Sequence, residues 1–227
     1  MPATKAAAPP SAQQITQHVE TLLGNTGPLL YKWAAPIRYR STGLDAVSRL
    51  TLAQAFTDIG AAINLPITEV SSPNVPTEAY LVFTDDVAGA AAAAGVQRFF
   101  RDPRETDEQF TARFTRQLEH GSVGTLGLGE RGIASLIEIF YNPVTLPDDG
   151  ADTSRDGKLV QIAFRIVTRT LPSDVLPSVM NSGGANPALT PIDIGFLRAL
   201  QAPSVAFRMP TQDAIQEIAR LMAAGLR

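Results

Sequence analysis

The chain has 227 residues, 44 % of them hydrophobic and 18 % charged, which is enough to bury a core and unlike a disordered composition. Its 19 basic and 22 acidic residues leave a formal net charge of −3, which argues against a face built to neutralise nucleic-acid phosphates. Cysteine is absent, which excludes disulfides, thiolate zinc sites and a cysteine nucleophile, and no run supplies the ~20 apolar residues of a membrane span.

The chain opens on an Ala/Pro-rich stretch, Met1 to Pro10, of the kind that forms a flexible tail. Ser11 then has the chemistry of a helix cap, and Ile15, Val19, Leu22 and Leu23 follow at helical spacing before Gly24 and Gly27-Pro28 end the run. Ile37 and Tyr39 alternate with Arg38 and Arg40, the pattern of a half-buried strand. A helix is expected over 45–63, with Leu52, Ala55, Phe56, Ile59 and Ile63 on one stripe, and Pro66 sets its limit. Short strands follow at Ile67 to Val70 and at Ala79 to Thr84, the second apolar enough to be buried on both faces.

Val87 to Phe100 reads as a helix, and Thr106 caps another that carries Phe110, Phe114 and Leu118 at i, i+4 spacing. The glycine-dense stretch Gly121 to Gly132 predicts a surface loop, and Ser135 to Tyr141 a strand. Asn142 to Asp156, rich in Pro, Asp and Gly, predicts an exposed loop. Lys158 to Thr170 reads as the strongest strand: Val160, Ile162, Phe164 and Ile166 share one face, and Gln161, Arg165 and Arg169 the other. Thr190-Pro191 opens a helix with Ile194, Leu197 and Leu200 on its apolar side, and Thr211 caps a last one bearing Ile215, Ile218, Leu221 and Met222. Strands and helices mix without a repeat, so the fold class is α+β, a single domain with a twisted mixed sheet of about five strands packed with helices. The organisation expected is a tail over 1–10, a helical arm over 11–30 and the α+β domain over 31–227.

Few side chains suggest chemistry. A zinc site needs at least three convergent ligands, and the only histidines are His18 and His120, which no shared helical face brings together. Gly127, Gly129 and Gly132 match the letters of a dinucleotide loop, but a strand rather than a helix follows them. Asp85-Asp86, Asp148-Asp149, Asp152 and Asp156 offer carboxylates without the ordered spacing of a calcium loop, so solvated turn acids are the simpler reading. Ser122, Ser135 and Ser182 lack a nucleophile-elbow context. Trp33 reads as a core anchor. Arg38, Arg40, Arg165 and Arg169 form either a cationic patch or cross-strand pairs with Glu138, the pairs being the simpler reading.

Three segments carry a family likeness: Lys32 to Arg40, Ala79 to Asp86, and Thr190 to Leu200 with the turn and helix that follow. Together they resemble an uncharacterised proteobacterial domain of exported proteins and putative lipoproteins, domain of unknown function 2927, whose fold is similar to zincin-type metallopeptidases. The resemblance implies an edge strand bordering a cleft and a long helix that carries His-Glu-x-x-His. It places Leu159 to Thr170 as the strand feeding that helix and Leu171 to Gly184 at the helix itself, a segment with no histidine, no glutamate and two prolines.

The expectation is therefore a degenerate zincin-like architecture without its metal motif, with no catalytic, cofactor-binding or metal-binding residue to name and no cofactor. The function expected is a non-catalytic binding or assembly module of the cell envelope, or a subunit of a larger complex. The alternative is an atypical peptidase-like hydrolase using carboxylates. The resemblance implies a protein partner in an envelope complex and a periplasmic or envelope location with the cytoplasm as the alternative, while the charge balance argues against nucleic acid and the Ala/Pro tail leaves room for a lipid anchor upstream. Phe110/Phe114 and Ile215/Ile218/Met222 offer docking surface wherever the core does not consume them.

Overall fold

A computed structural model describes residues 9–119, 121–141, 155–181 and 187–226. Among them it forms eight helices and a five-stranded mixed sheet, a single-domain α+β fold. The order across the sheet is β2 (Ile67–Glu69), β1 (Ile37–Thr42), β3 (Ala79–Thr84), β5 (Ile133–Tyr141) and β4 (Ser122–Leu128). All neighbours are parallel except β4, which runs antiparallel to β5 as the far edge.

Helices cover both faces. On one lie α1 (Ala12–Leu23), α2 (Ala46–Ile63), α6 (Arg155–Thr168), α7 (Pro191–Gln201) and α8 (Thr211–Gly225), which enclose the main core with Tyr39, Leu81, Leu136 and Phe140 of the sheet. On the other, α3 (Val87–Ala92) and α5 (Asp107–Glu119) bury Ala91, Phe110, Phe114 and Leu118 against Val123 and Ile139, with Phe100 of α4 (Ala94–Phe100) packed alongside. α1 packs against α8, so the first helix is part of the main core.

Local chemistry explains most of these boundaries. Ser11 and Gln14 form a reciprocal cap at α1, as do Thr190 and Asp193 at α7, each satisfying main-chain donors that the first turn leaves free. Asp45 accepts from the Val47 and Ser48 amides, and Asn64 ends α2 in the left-handed region at φ 54°. Thr211 differs from expectation: it is the first residue of α8, and its hydroxyl donates to the Gly27 carbonyl at 2.6 Å instead of capping. The helix expected over 87–100 is two helices meeting at Ala93, and β3 is half-buried, not enclosed on both faces.

Two segments correct the sequence reading. The segment read as the strongest strand, Lys158 to Thr170, is the helix α6 with its C-terminal exit. Leu159, Val160, Ala163, Phe164, Ile166 and Val167 are all buried, and so apolar a run satisfies a period of two as well as 3.6. The glycine-dense stretch 121–132 holds β4 rather than a loop. The two glycines within β4, Gly124 and Gly127, lie where a neighbouring side chain crosses the strand: a Cβ at Gly127 would meet Ser135 Oγ at 2.2 Å.

Candidate functional site

The two ends of the sheet are unlike. β2 is three residues long and bears Glu69, tied to Arg49 and Ser41, so its edge is short and charged. β4 is seven residues long, Ser-Val-Gly-Thr-Leu-Gly-Leu, with no charge and no proline. The Tyr141 amide donates to the Gly121 carbonyl at 3.1 Å, which fixes the phase of the ladder. Val123 and Thr125 therefore exchange bonds with β5, while the main-chain groups of Ser122, Gly124 and Leu126 point outward. Those outward groups meet no partner among the described residues, and Gly124 is exposed.

A charged cluster stands over this edge on the α6 face. Glu138 of β5 lies opposite Gly124 and is only 2 % exposed. Its Oε1 accepts from the Ser122 hydroxyl at 2.9 Å and from Arg165, and its Oε2 accepts from Arg169 Nη1 at 2.7 Å. Arg165 also donates to Ser122 and stacks on the Phe140 ring, its guanidinium carbon 5.6 Å from the centroid. Burial pushes the Glu138 carboxyl up, and Arg169 and Arg165 together outweigh it, holding the group below the ordinary carboxylate value. Arg169 follows α6 at φ 60°, a conformation disfavoured for a residue with a Cβ, and its amide closes the helix on the Arg165 carbonyl at 2.7 Å.

Pockets flank the edge on both faces. On the α6 face a cavity of about 220 Å³ is lined by Leu30, Tyr31, Leu126, Arg169 and Leu171 among others. On the opposite face one of about 480 Å³ lies between Phe99, Phe100, Arg113, Gln117 and Thr125. A further apolar groove of about 480 Å³ between α7 and α8 has Arg198 as its one charged side chain.

The remaining sequence candidates are scattered. Arg38 pairs with Glu78 at 2.5 Å and Arg40 donates to the Ser72 and Val75 carbonyls, so the four arginines form no common patch. Arg165 and Arg169 do pair with Glu138, but from a helix onto the sheet. Trp33 is buried and donates from Nε1 to the Ile166 carbonyl at 3.0 Å. Asp86 caps α3 through the Gly89 amide at 2.8 Å, and Asp156 lies in the first turn of α6. His18 is buried, with Nδ1 2.9 Å from Ser173 Oγ. Phe110, Phe114, Ile215, Ile218 and Met222 are core residues rather than docking surface. His120, Asp148, Asp149, Asp152 and Ser182 lie outside the described residues. Among the described residues no three His, Cys, Asp or Glu side chains converge as a metal-ligand set, and no helix is long and apolar enough to cross a membrane.

Sequence reasoning missed Gly124 and Leu126 as parts of an exposed edge. The readable signal was the i, i+4, i+8 spacing of Gln161, Arg165 and Arg169, which puts three polar side chains on one side of a helix as readily as of a strand. Comparison with known proteins gives no relative to set beside this site: no family model, no curated protein and no solved structure matches the chain.

Proposed function

We propose that this protein is a non-catalytic binding and assembly module of the cell envelope, which receives an extended segment of a partner protein along β4. The observation that carries the reading is the uncharged, seven-residue edge with outward main-chain groups at Ser122, Gly124 and Leu126. Such an edge is ordinarily short, charged or covered, because it templates pairing with another chain. An added strand would gain main-chain hydrogen bonds there and send alternate side chains towards the two flanking pockets.

The buried acids support binding over hydrolysis. Glu138 is bonded to two guanidinium groups and a hydroxyl, and Asp193 to Ser178, the Val179 amide and Thr190, so the oxygens of both are committed to the protein's own donors. The envelope location rests on the sequence resemblance, as does descent from a peptidase-like architecture.

Selection of displayed random peptides on the purified protein, followed by amide hydrogen exchange, tests the reading. A selected peptide is expected to slow exchange at Gly124 and Leu126, whose amides are open, and to change Val123 and Thr125 little. Failure to select any peptide, or binding that leaves Gly124 and Leu126 exchanging freely, would overturn it.

A further inference from the structure

We infer that the partner segment carries a carboxylate, which docks on the outward N–H groups of Arg165 and Arg169. The inference rests on the edge-pairing reading above and names the chemistry of its partner.

Two guanidinium groups share the single carboxylate of Glu138, so the cluster carries a surplus positive charge. Arg165 uses Nη2 for Glu138 and Ser122, and Arg169 uses Nη1 for Glu138. A guanidinium has five N–H donors in a planar fork. Those on Nε and the second Nη of each arginine meet no acceptor among the described residues. The side chains are 32 % and 24 % exposed, so these donors are within reach of an incoming group. Glu138 holds both forks in place from beneath, which lowers the ordering cost of binding.

The placement matches an added strand. Arg165 reaches Ser122, and Arg169 lines the pocket shared with Leu126, so the two cations bracket Gly124 along the edge. A strand paired to β4 turns every second side chain to this face. An Asp or Glu at one of those positions, or the terminal carboxylate of a segment that ends there, meets the same fork geometry. A second copy of the chain is the competing occupant. Pairing β4 with β4 would bring four guanidinium groups to one seam, which like-charge repulsion disfavours.

The probe is a display-selected peptide whose binding protects the Gly124 and Leu126 amides, with its affinity measured by fluorescence anisotropy on wild-type protein. Two variants of the peptide separate the sources: its acidic side chains changed to amides, and its C-terminal acid changed to an amide. One of them is expected to weaken binding about tenfold or more, the scale of a lost hydrogen bond to a charged group. The same change is expected to cost clearly less against Arg165→Gln or Arg169→Gln, each of which leaves one of the two guanidinium partners. If neither peptide variant moves the affinity by more than about twofold while both amides stay protected, the carboxylate inference fails and edge pairing stands. If the amides are never protected, edge pairing itself fails. A dimer by light scattering, with both amides protected before peptide is added, would assign the edge to a second copy and overturn the inference. The peptide variants act on unaltered protein, so the result does not depend on how the arginine variants fold.

Discussion

Gly124 of β4 lies opposite Glu138 of β5, and a Cβ at Gly124 would stand 3.1 Å from Glu138 Cγ and 3.3 Å from its Cδ. The glycine is the space through which the buried carboxylate passes to reach Ser122 and the two arginines. Removing a strand glycine usually helps by lowering the entropy of the unfolded chain. Here the neighbour that would have to move is tied at both oxygens. Gly124→Ala is therefore expected to destabilise by about 1 kcal/mol and Gly124→Val by more, measured as a lower urea midpoint at unchanged slope.

Glu138→Gln leaves two guanidinium groups facing each other over an apolar sheet. Breaking a buried ion pair costs about 3–5 kcal/mol, and the partial exposure of both arginines argues for the lower end of that range. The effect has a pH signature. The folded-state pKa of Glu138 lies below its unfolded value, so its contribution is complete above about pH 4.3 and fades as pH falls through the folded value. The gap in unfolding free energy between wild type and Glu138→Gln should close in acid. A constant gap down to acid unfolding would contradict this assignment.

His18 titrates in a separate window. Burial pushes its pKa down, against the opposing pull of Asp193, and its Nε2 has no partner among the described residues. The folded state thus holds the neutral ring while the unfolded chain takes up a proton below about pH 6.5. Stability is complete above that value and falls with decreasing pH until the folded-state pKa is passed, by up to about 1.4 kcal/mol per pH unit. A His18→Gln variant is expected to flatten the stability profile as pH falls below about 6.5 and to leave the Glu138 window unchanged.

Asp193 joins α7 to the segment before it. One carboxylate accepts from Ser178 Oγ at 2.5 Å, the Val179 amide, the Thr190 amide at 2.8 Å and Thr190 Oγ1 at 2.7 Å, and the residue is 1 % exposed. An amide accepts through one oxygen only, so Asp193→Asn strands donors that the carboxylate satisfies. A loss of about 2 kcal/mol is expected, with Asp193→Ala worse, by chemical denaturation.

The sequence made plain those elements whose ends carry their own chemistry. Ser11, Asp45, Thr106 and Thr190 mark helix starts with side chains that act on the next turn, and all four are found capping or adjoining helices. β1, β3 and β5 were legible because alternation or an apolar run ended at Pro, Asp or Asn. α6 was not, since α2, Phe196 of α7 and Phe140 of the sheet enclose most of its surface, and the narrow polar stripe that is left, Gln161, Arg165 and Arg169, fits one face of a strand as well as one side of a helix. β4 was hidden for the converse reason. Gly124 and Gly127 look like loop residues in isolation, and only their positions against Glu138 and Ser135 show why a strand needs them. The partners of Glu138 were readable, but not the edge they overlook, which depends on how a distant helix end meets the last strand.

The packing of α1 on α8 also constrains how the chain acquires its structure. Ile15, Val19, Leu22 and Leu23 of α1 belong to the same core as Ile215, Ile218 and Met222 of α8, and the other elements lie between the two helices in the sequence. Contacts so distant along the chain carry the largest loop-closure cost and are slow to form. The main core is thus sealed by its two most widely separated helices, and its completion waits on their meeting.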